Sequence, residues 1–324
     1  MSDARTPVTS PDLPVPPRAR DLAPVAAVGR AARLLFALPD TPFLGALQIT
    51  QRPTLPGRGV VDRSLVTRER IQGADRTAGS IPVTWIDRAR AGDAAIVHLH
   101  GGAYVLGETP SHWAWLEELR RRSGTAAAMV HYRMPPRHPF PRALEDAAAA
   151  VEELLHRTVL RDGRWILSGD SAGGGLALAL AQRLRDAGER GPAGILLTSP
   201  WTDLTMTDPS QALQEPRDLV LSRASLARAA RHYAGAFRLE DARLSPRFGD
   251  MTGLAPVHLL VGADDLLLGD ARATQAALVE AGVEVDHHEL EGAPHDYPIL
   301  IQGPAAQWAM RRQVEFVRRR LGLA

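Results

Sequence analysis

From about residue 60 onward, short apolar runs of strand length alternate with longer segments whose apolar residues recur at helical spacing, and few architectures accept that pattern. Runs at 64–71, 81–86, 94–100, 126–131, 164–168, 194–199, 257–261 and 283–290 read as strands; 112–122, 143–155, 172–187, 270–281 and 305–321 read as helices. Such alternation predicts an α/β fold with a mostly parallel eight-stranded sheet and helices on both faces. The first two runs, joined by a short Gly-containing connection, are the expected antiparallel exception. Residues 205–238 break the alternation with mainly helical material, so they are expected outside the sheet, as a cap over the strands' carboxyl ends, where open α/β sheets bind ligands.

The organisation before the sheet is different. Residues 1–24 carry Pro7, Pro11, Pro14, Pro16, Pro17 and Pro24 with little apolar material and are expected to form a mobile arm. Residues 25–59 read as an N-terminal cap segment, with helical spacing over 25–38, followed by a Pro/Gly-rich linker from residue 51. The main α/β body is then expected over 60–324, with the cap insertion at 205–238.

Composition removes whole chemistries. All 38 basic residues are Arg, and the chain has no Lys, no Asn and no Cys. A Schiff-base lysine, a P-loop, a thiol nucleophile and a Cys-ligated zinc are therefore impossible. The 38 basic and 37 acidic residues leave a net charge of +1, which argues against nucleic acid or an anionic membrane as partner. No apolar stretch approaches the length of a membrane span. The N-terminus lacks the pattern of a secretory signal, so the expected location is cytoplasmic.

Three local patterns carry chemistry. Gly169-Asp170-Ser171-Ala172-Gly173 stands between the apolar run 164–168 and an Ala/Leu-rich helical segment, the strand–turn–helix setting of a nucleophile elbow. His100-Gly101-Gly102-Ala103 ends another apolar run, where two glycines let backbone N–H groups approach a ligand closely enough for an oxyanion hole. His295, the last of eleven histidines, lies in a loop after the final strand and before the closing helix, and an imidazole pKa of about 6.5 suits a general base. His287 and His288 read as edge or solvated residues, with no third ligand pattern nearby to make a metal site.

These motifs, together with the stretch from Tyr132 to Pro141 leading to Leu144-Glu145-Asp146 and with Ser199-Pro200-Trp201-Thr202-Asp203-Leu204, occur in one collinear order from about residue 60 to the C-terminus. In this the chain resembles the bacterial hormone-sensitive-lipase-like esterases of the α/β-hydrolase fold. The resemblance implies a triad in the order Ser171, Asp265, His295, with Asp265 selected by the family's Gly-x-x-acid-x-Leu pattern read from Gly262 and Asp264 as its competitor. It implies an oxyanion hole from the N–H groups of Gly101, Gly102 and Ala172, no cofactor, no metal, a small-molecule ester as substrate, and a homodimer through the last strand and helix. The implied reaction is hydrolysis of short to medium acyl esters through an acyl-enzyme. Lactones, amides or acetylated metabolites are alternative substrates, transfer to an alcohol an alternative reaction, and a non-catalytic small-molecule-binding module an alternative of another class. The chain departs from the family pattern at Ala103 (commonly Gly), Pro135 (commonly Ala), Arg137 (commonly Glu) and Asp296 (often Gly). Asp296 would raise the pKa of the base if it faced inward.

Overall fold

The computed structural model describes residues 16–72 and 80–323. Eight strands, β1 (Val66–Gln72), β2 (Ser80–Ile86), β3 (Ala95–Leu99), β4 (Ala126–Val130), β5 (Trp165–Asp170), β6 (Gly194–Thr198), β7 (Val257–Gly262) and β8 (Val285–Leu290), form one sheet in the order β1-β2-β4-β3-β5-β6-β7-β8. The pairings from β4 through β8 are parallel. β2 is antiparallel to β1 and also to β4, so β2 alone is reversed and β1 runs with the body of the sheet. The reason lies after β2: only a short turn, with Asp87 at φ 59° and a 3-10 helix at Arg88–Arg90, leads to β3, and so tight a connection reverses the chain. The Gly-containing connection between β1 and β2 lies outside the described residues.

Central strands β3 to β7 are buried along their whole length, whereas β1 and β8, at the two edges, are half-exposed. Alternation along each buried strand splits the apolar side chains between two cores. Ile96, Met129, Ile166 and Leu196 face Trp113 and Leu116 of α3 (Pro110–Ser123) and Phe316 and Val317 of α10 (Pro304–Leu321). Val97, Ala128, Leu167 and Leu197 face α4 (Arg142–His156), α5 (Ser171–Asp186) and α8 (Leu268–Glu280). A short helix α9 (Tyr297–Leu300) precedes α10. No helix among the described residues is long and apolar enough to cross a membrane.

The N-terminal segment is helical from α1 (Ala19–Ala37) into α2 (Asp40–Thr50), so α1 begins six residues ahead of the spacing at 25–38, with Pro24 inside it and the Arg18 N–H donating to Asp21 at its start. Of the expected arm, residues 1–15 lie outside the described residues. Within 205–238 only α6 (Ser210–Gln214) and α7 (Arg223–Ala234) are helical. α1 and α2 are tied to α7 by Arg228, whose guanidinium donates to the Phe36 and Leu38 carbonyls and to Asp40 and lies 3.9 Å above the Phe43 ring. Two further contacts carry this region onto the sheet: Tyr233 of α7 stacks on Tyr104, beyond β3, at 3.8 Å, and Asp218, in the loop before α7 whose carbonyl accepts from Arg33 of α1, accepts the Leu266 N–H, beyond β7, at 2.7 Å.

Candidate active site

From β3 the chain crosses to β4 on one side, and β5 then takes the other side, so the carboxyl ends of β3 and β5 flank the point where strand order reverses. Crevices open at such points in doubly wound sheets. The loop that follows β3 begins at His100, and β5 ends at the elbow.

The elbow is set by glycine. A Cβ on Gly169 would collide with the carbonyl of Gly173, and one on Gly173 with the carbonyls of Leu99 and His100. Only bare backbone allows α5 to start this close to β3 and β5. Ser171 itself is left-handed, φ 49°, a conformation costing a non-glycine residue on the order of 1 kcal/mol or more. Its Oγ lies 2.9 Å from His295 Nε2, and His295 Nδ1 lies 3.0 Å from both carboxylate oxygens of Asp265. All three side chains are buried. Asp265 also accepts the Leu267 N–H at 2.8 Å, which orients its carboxylate.

Asp296 faces inward. Its Oδ2 is 3.2 Å from His295 Nε2, and its N–H donates to Ser199 Oγ at 3.1 Å. Burial opposes a charged imidazole, yet the carboxylates of Asp265 and Asp296 outweigh it and hold the His295 pKa well above its ordinary value. Asp264 points elsewhere, forming an ion pair with Arg217, and its N–H donates to the Ala293 carbonyl. The structure thus brings Asp265, and not its neighbour, to the imidazole.

The β3 loop requires one correction. The Gly101 N–H donates to Asp170 Oδ2 at 3.0 Å, so this N–H, expected to face an oxyanion, is already spent. The next two N–H groups, of Gly102 and Ala103, reach no acceptor among the described residues. Ala103 adopts φ 54°, so the methyl group at this position is accommodated in a left-handed backbone that glycine would take without cost. The Ala172 N–H, in the first turn of α5, has no intrahelical partner.

Sequence reasoning missed the network around Asp170. Beyond Gly101, this buried carboxylate meets His112 Nε2 at 3.1 Å and His98 Nε2 at 3.0 Å. His112 Nδ1 accepts from the N–H of Thr109 at 3.1 Å, which leaves Nε2 as the proton-bearing nitrogen toward Asp170. Burial alone would raise the Asp170 pKa, but His112 and His98 hold it far below the carboxylate range, while the Asp170 charge raises that of His112 against the effect of burial. A periodic reading places His98 simply as a core position of β3; no local signal marks it as polar.

Other expected positions fall outside this constellation. Arg137 is exposed and donates to Gln48 at 3.3 Å. The 51–59 linker is stapled: Gln51 donates to the carbonyls of Val105 and Pro135, and the Thr54 N–H to the buried Glu108 at 2.6 Å. His287 and His288 separate onto opposite faces of β8, and His288 joins His258 and Asp286, their ligand-type atoms all within 4.8 Å of one another. The third partner absent from the local sequence pattern comes from β7, where His258 registers with Asp286. Asp286 in this group also accepts from Arg319 at 3.2 Å.

A profile of the alpha/beta hydrolase fold family matches residues 96–299. The chain is 39% identical over 234 residues to an acetyl-hydrolase of Streptomyces hygroscopicus, covering 71% of this chain and 78% of that protein. It is 37% identical over 223 residues to an esterase of Acinetobacter venetianus, covering 68% and 73%. A crystal structure of an esterase from the bacterial hormone-sensitive lipase family superposes with a TM-score of 0.78 at 30% identity, over 94% of this chain and all of that one. A hormone-sensitive lipase from a metagenome library gives 0.76 at 27% identity, over 94% of this chain and 100% of that one. The chain therefore belongs to the α/β-hydrolase fold family, among its bacterial hormone-sensitive-lipase-like esterases. It is a carboxylic ester hydrolase of the serine type.

Proposed function

We propose that Ser171, His295 and Asp265 are the nucleophile, base and orienting acid of this hydrolase. The observation that carries the assignment is the continuous line from Ser171 Oγ through the two imidazole nitrogens to the Asp265 carboxylate. His295 Nε2 takes the hydroxyl proton as Oγ bonds to the ester carbonyl carbon, and Asp265 stabilises the imidazolium. The imidazolium then protonates the leaving alkoxide as the C–O bond breaks, and water repeats the sequence on the acyl-enzyme. The negative carbonyl oxygen is received by the N–H groups of Gly102, Ala103 and Ala172, with Asp170 anchoring the loop through Gly101.

The unit of α1, α2 and α7 is read as a cap that limits the pocket, supported by its contacts at Tyr104 and Leu266, beyond two strands that end at the site. A bounded pocket favours short to medium acyl groups, because each buried methylene contributes roughly 0.8 kcal/mol only until space runs out; the acetyl-hydrolase name of one relative agrees. The near-neutral net charge of +1 supports uncharged small esters over nucleic acid. A homodimer across β8 and α10 is supported by the edge position of β8, though Phe316 is spent on the protein's own core. The decisive experiment is labelling with a p-nitrophenyl phosphonate, read by intact mass and peptide mapping: one adduct on Ser171, lost in Ser171→Ala, is expected. An adduct elsewhere, or full esterase activity in the variant, removes the assignment.

A further inference from the structure

Asp296 follows the base directly, and nothing in the cycle above requires it. Its backbone is left-handed at φ 50°, a conformation that Gly adopts at lower cost. The Ser199 hydroxyl holds its N–H, and its Oδ2 lies 3.2 Å from His295 Nε2, the same nitrogen that reaches Ser171. The other oxygen, Oδ1, is buried and has no hydrogen-bond partner. Leaving a buried acceptor unsatisfied costs on the order of 1–3 kcal/mol, a cost that a donor on a bound ligand would remove. Burial lifts this carboxyl to about 7, the charge of His295 opposing and those of Asp170 and Asp265 adding to the rise; His112 is the further titratable group whose charge it feels.

Position decides which part of a substrate can reach it. His295 Nε2 must protonate the departing alkoxide, so the leaving oxygen passes beside that nitrogen, and a carboxyl touching the same nitrogen adjoins the alcohol side of the ester. Resting on the triad assignment, we propose that Asp296 is a specificity-determining residue whose free carboxyl oxygen accepts a hydrogen bond from the alcohol portion of the substrate. The preferred esters are then those whose alcohol carries a hydroxyl or protonated amine near the ester oxygen.

Paired acetates test this. 2-Hydroxyethyl acetate is compared with propyl acetate, and 2-(dimethylamino)ethyl acetate with 3,3-dimethylbutyl acetate, by kcat/KM in the wild type, Asp296→Gly and Asp296→Asn. The wild type is expected to prefer the donor-bearing member of each pair, and Asp296→Gly to reduce that preference by about tenfold, the size of one buried hydrogen bond. Asp296→Asn, whose amide oxygen still accepts but carries no charge, should retain part of the preference in the hydroxyl pair and lose most of it in the amine pair. No preference in the wild type, a preference that survives Asp296→Gly, or an equal loss over all four esters overturns the proposal, the last by showing that Asp296 acts only through His295. Failure of the triad assignment is read separately, as hydrolysis of all four esters by Ser171→Ala.

Discussion

Two buried aspartates flank the proposed nucleophile and base, Asp170 just before Ser171 and Asp296 just after His295, and they behave in opposite ways. Asp170 receives the Gly101 N–H and His112 Nε2 on Oδ2, has His98 Nε2 3.0 Å from Oδ1, and remains an anion far below its ordinary pKa. Asp296 has only the edge of an imidazole already engaged with Ser171 and Asp265, and its carboxyl rises to about 7. Burial is alike in both; the number and kind of donors differ. A carboxylate held by two donors, with a third imidazole beside it, is a structural anchor, here for the β3 loop. One with an open oxygen is a site awaiting a donor.

The comparison can be broken at several points. Ser171→Ala, which removes the group that both regions serve, should lower kcat by about 10⁵-fold while leaving the circular dichroism spectrum unchanged. Asp265→Asn should cost about 10³- to 10⁴-fold in kcat through the wrong imidazole tautomer; a loss below tenfold would show that another acid orients His295. Asp170→Ala should destabilise the fold by about 3–5 kcal/mol in urea unfolding, since it strands two buried donors, His112 Nε2–H and the Gly101 N–H. Asp296→Asn should stay within about 1 kcal/mol of wild type, because it removes a buried charge that lacks donors. Equal losses in these two variants would erase the distinction between anchor and open site.

A pH profile sharpens it further. The base works only when unprotonated, and Asp265 and Asp296 hold its pKa high against burial, so the acid limb of kcat/KM should lie above the ordinary imidazole value of about 6.5. Asp296→Asn removes one of the two carboxylates and should move that limb to lower pH; a limb that does not move would deny the contact any role in tuning the base. The smallest effect is expected at Asp264→Asn, under about threefold in kcat/KM, because an ion pair of this part-exposed acid with Arg217 contributes little.

Strands, flanking helices, the elbow, the base and the paired-glycine loop were legible because each is written in consecutive residues, through alternation, helical spacing or a glycine cluster. Ser171 and His295 were read in this way, and Asp265 through the resemblance; the structure places the His295 side chain within hydrogen-bond distance of the other two. Three things were not legible. Gly101 looked like an oxyanion donor because the motif does not show that Asp170, 69 residues away, takes its N–H. His98 and His112 read as a core position and a helix start, yet they converge on that same carboxylate from β3 and α3. The direction of Asp296 could not be derived, since it depends on a left-handed backbone held by Ser199, 97 residues distant.

By itself, then, the sequence determined which elements form and which side chains can do acyl chemistry, because backbone period and residue type are local properties. Only the tertiary structure decided which N–H groups stay free, which aspartate remains charged and which is left wanting a donor. Hydrogen bonding and desolvation depend on what stands within about 3 Å in space, and at this site those neighbours arrive from distant parts of the chain.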